Sequence, residues 1–410
     1  MSSRPTQRER THTAPPPRSL QKLVERYDGT AFEPQGGHAR VRLLVAGRES
    51  WDAIIEGVSA RLTPAEGDAD ATLSADAQVW KAIAQDVREG MAAFRSGRLT
   101  VRRNLHLGVG FLAATAGQMG SAPLRFRMVS TRRGRLSTIE AGSGPALVAL
   151  HGLGATKASF LPTLAALGGR YRVIAIDLPG FGDSAKPIGA SYDARFFARS
   201  VVALLDALEL DRAHLVGNSL GGRVALEVAL EYPERVKRLG LLCPSLAWRR
   251  GRPWAPLVRL MQPKLGLVQI APRAIVEATV HRLLAGTAGQ DGWTAAGVDE
   301  FLRAYLTPAG RAAFYAAARH IYLEQPHGAR GFWPRLCRLR ADALFVWGRH
   351  DRIVPIAFAR HVAEALPRAR HLELDCGHVP QLERPSQTHR ALGAFLEPAA
   401  KAHEAPRASG

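Results

Sequence analysis

Val216-Gly217-Asn218-Ser219-Leu220-Gly221-Gly222 stands between an apolar run, Ala213 to Val216, and a helix-patterned run, Leu220 to Glu231. A chain that passes from a buried strand into a helix across one serine has few folds open to it. The strand must lie inside a sheet, and small residues at 217, 221 and 222 must let the backbone turn and the helix pack close. In this strand–turn–helix context Gly-x-Ser-x-Gly is a nucleophile turn, which holds its serine strained and presents it at the carboxyl edge of the sheet. Ser219 is the candidate nucleophile.

A serine hydroxyl needs a base that titrates near neutrality, which means histidine. Of the fourteen histidines, His378 has the right placement. It sits in Asp375-Cys376-Gly377-His378-Val379-Pro380, after the last strand-like run and before the last helix, so a loop at the carboxyl edge presents it. His12, His38 and His403 lie in tails or loops, His361 faces outward on a helix and His371 begins a strand. The base needs an acid to accept its Nδ1 proton and fix its tautomer. Asp351, where the run Leu344 to Trp347 ends in Gly348-Arg349-His350-Asp351, is that acid, with Asp375 as the competitor. The tetrahedral oxyanion needs two N–H donors. Leu220 supplies one from the start of its helix; the other comes from His151-Gly152-Leu153-Gly154, with Leu153 preferred and Gly152 the alternative. Gly152 and Asn218 are expected to line the substrate, and His151 reads as a structural loop histidine.

Around these residues the chain alternates short apolar runs with helical ones. Strands are expected at Ala146–Leu150, Arg172–Ile176, Ala213–Val216, Leu239–Leu242, Ala343–Val346 and His371–Leu374, with helices between them and a hairpin at Leu124–Ser130 and Leu136–Ala141. Strands bounded by helices and buried on both faces make a mostly parallel sheet with right-handed crossovers. Residues of about 244–340 break the rhythm with helical, Trp- and Pro-containing sequence and read as an inserted cap. Its aromatic residues, among them Trp248, Trp254, Trp293, Phe301 and Phe314, are the candidates for specificity.

Before this block, residues 20–117 mix helix and strand patterns into a small α+β unit. Helices are expected at Leu20–Tyr27 and Gln78–Gln85 and strands at Val41–Val45, Ala69–Leu73 and Gly97–Val101; Trp51–Val58 reads as an amphipathic segment and Leu105–Ala114 fits either helix or strand. Residues 1–19 and 399–410 have the composition of disordered tails. The chain thus divides into a tail, a unit at 20–117, a larger domain at 121–398 and a second tail.

Composition narrows the function classes. A net charge of +19 admits an anionic partner. The arginines are scattered, only seven of the 55 basic residues are Lys, and no zinc-finger spacing or RNP-type motif appears, so nucleic acid is not expected. Three cysteines without a CxxC pair indicate neither a disulfide framework nor a metal site; no metal or cofactor is expected, and a reducing cytoplasm is the expected location. No run of about 18 apolar residues marks a transmembrane segment, while peripheral membrane contact stays open.

The motifs HGLG (151–154), DLPGFGDS (177–184), GNSLGG (217–222), GRHD (348–351) and GHVPQLERP (377–385), in this order, resemble the α/β-hydrolase superfamily, in its capped esterase, lipase and C–C hydrolase branch. The resemblance implies an α/β-hydrolase fold with a mostly parallel central sheet, and a helical cap inserted after Leu242. It also implies a serine hydrolase acting on a small hydrophobic ester through an acyl-enzyme. Asn218 is similar to the variant found in meta-cleavage C–C hydrolases, whose cap arginine has no match here. That chemistry, or acyl transfer, is the alternative, and a non-catalytic lipid carrier the third reading. Ala69-Asp70-Ala71-Thr72-Leu73-Ser74, the Trp80 helix and Phe94-Arg95-Ser96-Gly97-Arg98-Leu99-Thr100-Val101 resemble the sterol carrier protein type-2 (SCP2) lipid-binding domain. This second resemblance implies a lipid ligand for residues 20–117 and delivery of substrate to the hydrolase. A chain begun near Ser121 is expected to fold alone and to keep its activity on soluble esters.

Overall fold

The computed structural model describes residues 15–47, 50–116, 124–248, 255–269, 271–284 and 291–397. Most of both expected tails, and Trp254, lie outside them. Residues 15–19 are described, and a helix begins at Arg18, inside the expected tail, because Leu20, Leu23 and Val24 place one apolar face in the core.

Among the described residues thirteen strands form two sheets. β1 (His38–Val45), β2 (Ser50–Glu56), β3 (Ser59–Pro64), β4 (Ala71–Ala75) and β5 (Leu99–Arg102) form the first, in the order β3-β2-β1-β4-β5. β6 (Arg125–Thr131), β7 (Gly134–Ala141), β8 (Ala146–Leu150), β9 (Arg172–Ile176), β10 (Ala213–Asn218), β11 (Val236–Leu242), β12 (Asp342–Gly348) and β13 (Arg370–Leu374) form the second, in the order β13-β12-β11-β10-β8-β9-β7-β6. From β13 to β9 all neighbours are parallel; β7 runs antiparallel to both β9 and β6. β8 and β10 are buried at every residue, as strands covered by helices on both faces must be. The reversal of strand order beside β8 opens a crevice at the carboxyl ends, where open α/β sheets bind ligands.

In the N-terminal unit the amphipathic stretch at Trp51 is the strand β2, and β3 and the helix Arg88–Arg95 escape the sequence pattern, β3 because it is a polar edge strand with no apolar alternation. Leu105–Ala114 is helical, with Asn104 capping it through a bond from the Leu107 amide. The cap is helical as expected; its longest members are Asp291–Tyr305 and Pro308–Tyr322.

The two units share one core. Leu20, Trp80, Phe94 and Phe111 belong to the same buried cluster as Ile139, Leu147, Phe160 and Leu161. Phe32, His106 and Phe126 meet edge to face at 5.0–5.5 Å across the junction. The cap is tied in as well: Arg102 makes a two-point ion pair with Asp299, and the Leu105 amide donates to Glu300 at 2.8 Å. A chain begun at Ser121 would expose this face as a contiguous apolar patch. Contrary to the expectation from sequence, such a chain should be recovered in the aggregated fraction on size exclusion. A monodisperse, cooperatively melting product would show that the shared core is dispensable.

Candidate active site

The strand–turn–helix expected around Ser219 is present. Ser219 adopts φ 53°, ψ −114°, a left-handed backbone that costs an L residue on the order of 1–3 kcal/mol. Backbone bonds hold it there: its amide donates to the Leu242 carbonyl at 3.0 Å, and its carbonyl accepts from Arg223 and Ser245. A Cβ at Gly221 would lie 1.9 Å from the Leu150 carbonyl oxygen, so only glycine lets the helix begin against β8.

His378 and Asp351 meet at the same edge of the sheet, where Asn218, next to Ser219 in the chain, donates to the His378 carbonyl. His378 Nδ1 lies 2.7 Å from Asp351 Oδ2, in a buried pair. The other Asp351 oxygen accepts from the amides of Ile353 at 2.8 Å and Val354 at 2.9 Å. The acid is therefore fixed by its own loop, and the Nδ1 proton faces it, leaving Nε2 as the basic nitrogen. Asp375 is exposed and pairs with His350 at 2.7 Å; His371 accepts from the Trp347 indole at 3.0 Å. Neither competes for the site.

Two further groups orient the base. Glu383 clamps the histidine loop by accepting from the amides of Gly377 at 2.6 Å and Val379 at 2.9 Å; burial pushes its carboxyl above the usual range. The Asn218 amide donates to the carbonyls of Leu242 at 3.0 Å and His378 at 2.9 Å. Its donors are committed to backbone, while an added Cβ on Gly152 would meet its Oδ1 at 3.3 Å.

The loop after β8 is set by His151. Its Nε2 accepts from the Leu178 amide at 2.9 Å, so Nδ1 carries the proton given to the Gly152 carbonyl at 2.7 Å. Burial lowers its pKa and keeps it neutral. Gly152 backs the nucleophile: a Cβ there would lie 3.3 Å from that of Ser219. Gly154 (φ 77°) leaves space that the Phe301 ring of the cap fills, with Phe314 beside it. Leu220 is the first helical residue, where amides have no intrahelical partner and the helix dipole is positive.

Sequence reasoning missed Cys243 and Ser245. Ser245 Oγ is 3.4 Å from Ser219 Oγ, a long contact. Cys243, in a left-handed conformation at φ 42°, packs against the acid and base. The donor atoms of Cys243, Asp351 and His378 lie within 4.8 Å of one another, the one such potential metal-holding group among the described residues. Burial and the adjacent Asp351 push the Cys243 thiol well up, so it stays protonated and is no nucleophile. An ion there would displace the proton that orients His378. The signal was positional: Cys243 follows β11, the parallel neighbour of the nucleophile strand.

Behind the loop lies a buried charge cluster. Lys157 Nζ contacts Asp177 at 2.5 Å and Asp183 at 3.1 Å; Arg303 of the cap reaches Asp183 at 2.6 Å, and His106 of the N-terminal unit at 3.7 Å.

A family profile described as alpha/beta hydrolase fold matches residues 145–385, and one described as the SCP-2 sterol transfer family matches residues 37–112. The chain belongs to the α/β-hydrolase fold family, with an SCP2-like domain before the hydrolase. It is 32% identical over 275 residues to 2-hydroxy-6-oxo-6-phenylhexa-2,4-dienoate hydrolase of Comamonas testosteroni, covering 63% of this chain and 89% of that one. Among solved structures it resembles a hydrolase from Pseudomonas aeruginosa PA01 (TM-score 0.56, 25% identity, covering 67% and 98% of the two chains). It also resembles a membrane phospholipase A (TM-score 0.53, 31% identity, 67% and 86%). Among the described residues no helix is long and apolar enough to cross a membrane.

Proposed function

We propose that the protein is a serine hydrolase that cleaves a hydrophobic carboxylic ester, with Ser219 as nucleophile, His378 as base and Asp351 as the acid that orients it. The observation that carries this reading is the buried 2.7 Å His378–Asp351 pair set beside a serine in a strained turn. His378 Nε2 takes the Ser219 proton as Oγ attacks the carbonyl carbon. The oxyanion is held by the amides of Leu220 and of Leu153 or Gly152. Collapse expels the alcohol, protonated by His378, and leaves an acyl-serine that a His378-activated water hydrolyses. Asn218 and Glu383 position the histidine loop.

The second reading, hydrolysis of a C–C bond in a vinylogous diketone, is favoured by the name of the Comamonas relative and by Asn218 before the serine. That substrate carries a carboxylate, which calls for a free cation in the cap. Among the described residues, the half-buried Arg303 and the buried Arg311 of the cap are already committed: Arg303 to Asp183 and Glu300, and Arg311 to the carbonyls of Gly266, Tyr305 and Leu306. The described part of the cap thus supports an uncharged ester, while the relative's name supports the dienoate.

Turnover of p-nitrophenyl esters of graded chain length, run beside a 2-hydroxy-6-oxo-dienoate, separates the two. We expect ester turnover in excess and a fluorophosphonate to label Ser219 alone, read by peptide mapping. Preferential turnover of the dienoate would establish the second reading, and labelling elsewhere would refute the triad.

A further inference from the structure

A cavity of about 620 Å³ lies between the N-terminal unit and the hydrolase, within the range of about 300–1,000 Å³ typical of small-molecule sites. Met91, Phe94 and Leu112 wall it on one side; Leu161, Leu164 and Gly168 wall it on the other. At its rim Arg88 pairs with Asp86. Neither unit alone would make this space.

Its position separates it from the active site. Ala141 and Gly142, at its edge, follow the stretch of β7 that pairs with the start of β9, Ala141 opposite Val173. Ser219 stands at the opposite, carboxyl edge of the sheet, and a five-residue strand such as β9 spans about 16 Å. An occupant of the cavity is therefore poorly placed to be handed to Ser219, which argues against the delivery role expected from sequence.

One element touches both places. The cavity wall residue Phe94 meets Trp293 of the cap helix Asp291–Tyr305 edge to face at 4.8 Å. Farther along that helix Asp299 and Glu300 are gripped by Arg102 and by the Arg103 and Leu105 amides of the N-terminal unit. Phe301 then lies over Gly154, in the loop assigned to the oxyanion.

We propose that the cavity binds a single-chain aliphatic carboxylate as an effector rather than a substrate, and that the helix Asp291–Tyr305 carries its occupancy to the oxyanion loop. The aliphatic walls suit a hydrocarbon chain. Arg88 is held by Asp86, but that pair is solvent-exposed and so worth little, and Arg88 can exchange it for a two-point pair with a carboxylate head. An occupant presses on Phe94, hence on Trp293, and shifts the balance of positions open to Phe301 over Gly154. The effect on turnover rests on the serine-hydrolase reading above; the binding site does not.

The test uses the full-length protein and dansylated undecanoic acid. We expect saturable binding by fluorescence, slower amide exchange across residues 291–305 on binding, and a change in kcat/KM for p-nitrophenyl butyrate on the order of fivefold. Ala165→Trp, at an exposed position on the hydrolase wall, and Met91→Trp, on the opposite wall, should each weaken binding at least tenfold while melting as the parent does. Should one variant misfold, the other carries the comparison. Binding that is absent, or that both tryptophans leave unchanged, overturns the site. Binding with exchange in 291–305 and turnover both unaltered overturns the effector role. If the ester is not turned over at all, the serine-hydrolase reading fails, while probe binding and amide exchange still decide this one.

Discussion

Asp351→Asn is expected to lower kcat on a soluble ester by about 10⁴-fold, with KM held within a few-fold. The size follows from the hydrogen bonds around the carboxylate. The amides of Ile353 and Val354 both donate to Oδ1, so an asparagine must put its carbonyl oxygen there and turn its NH₂ toward His378. Facing a donor, Nδ1 becomes the acceptor, and the imidazole proton moves to Nε2. A protonated Nε2 cannot take the Ser219 proton, although the fold and the substrate contacts are unchanged. KM stays close to its parent value because Asp351 acts on the imidazole rather than on the substrate. Steady-state kinetics on a purified variant with an unaltered melting curve is the measurement. Asp375→Asn is the control, since Asp375 is exposed and bonded to His350; equal damage from that change would sink the assignment of the acid.

Lys157→Met is expected to destabilise the protein by about 3–5 kcal/mol, because it leaves buried carboxylates without their cation. Lys157 is fully enclosed. Burial works against its charge, and the attraction of Asp177 and Asp183 outweighs that and raises its pKa. In the same way burial would raise the two carboxyl groups, but Lys157 outweighs it and holds both below the usual carboxylate range. Carboxyls depressed on folding add stability above their unfolded pKa of about 4, and that contribution is lost as pH falls through the folded values. In the variant Asp177 keeps only the Lys157 and Asp183 amides as donors, so its carboxyl should take up a proton more readily. The deficit should therefore be larger at pH 8 than at pH 5, read from denaturant midpoints. A deficit of the same size at both pH values would show that lost packing, and not unpaired charge, is responsible. Because Arg303 and His106 reach the same Asp183, the damage should extend to the cap and to the N-terminal unit.

Much of the hydrolase architecture was legible because its signals are local. β8, β9 and the helix Leu220–Glu231 fall where periodicity and the glycines put them. Ser219 and His378 stand out because a strand-to-helix serine and a loop histidine after the last strand are each written within a few neighbouring positions. Asp351 was legible in the same way, as the carboxylate delivered where β12 ends. In the N-terminal unit β3 and the helix Arg88–Arg95 were not, because a polar edge strand and a short helix leave little apolar period.

Other features depend on groups far apart in the chain. Cys243 and Ser245 reach the site because β11 is the parallel neighbour of β10 and ends level with it, a register that sheet pairing decides and no short segment carries. The donors of Asn218, expected at the substrate, are turned to the carbonyls of Leu242 and His378, the second of them 160 positions along the chain. Lys157, Asp183, Arg303 and His106 come from four separate stretches, and only burial, which removes the water that would otherwise solvate each charge, makes them answer to one another. The sequence by itself determined the strand–turn–helix at Ser219, the order of Ser219, Asp351 and His378 along the chain, and an SCP2-like stretch ahead of the hydrolase one. Only the tertiary structure decided that the two units share a core, that the cap helix joins the interface cavity to the oxyanion loop, and where each buried polar group finds its partner, because those outcomes are set by packing between segments distant in the chain.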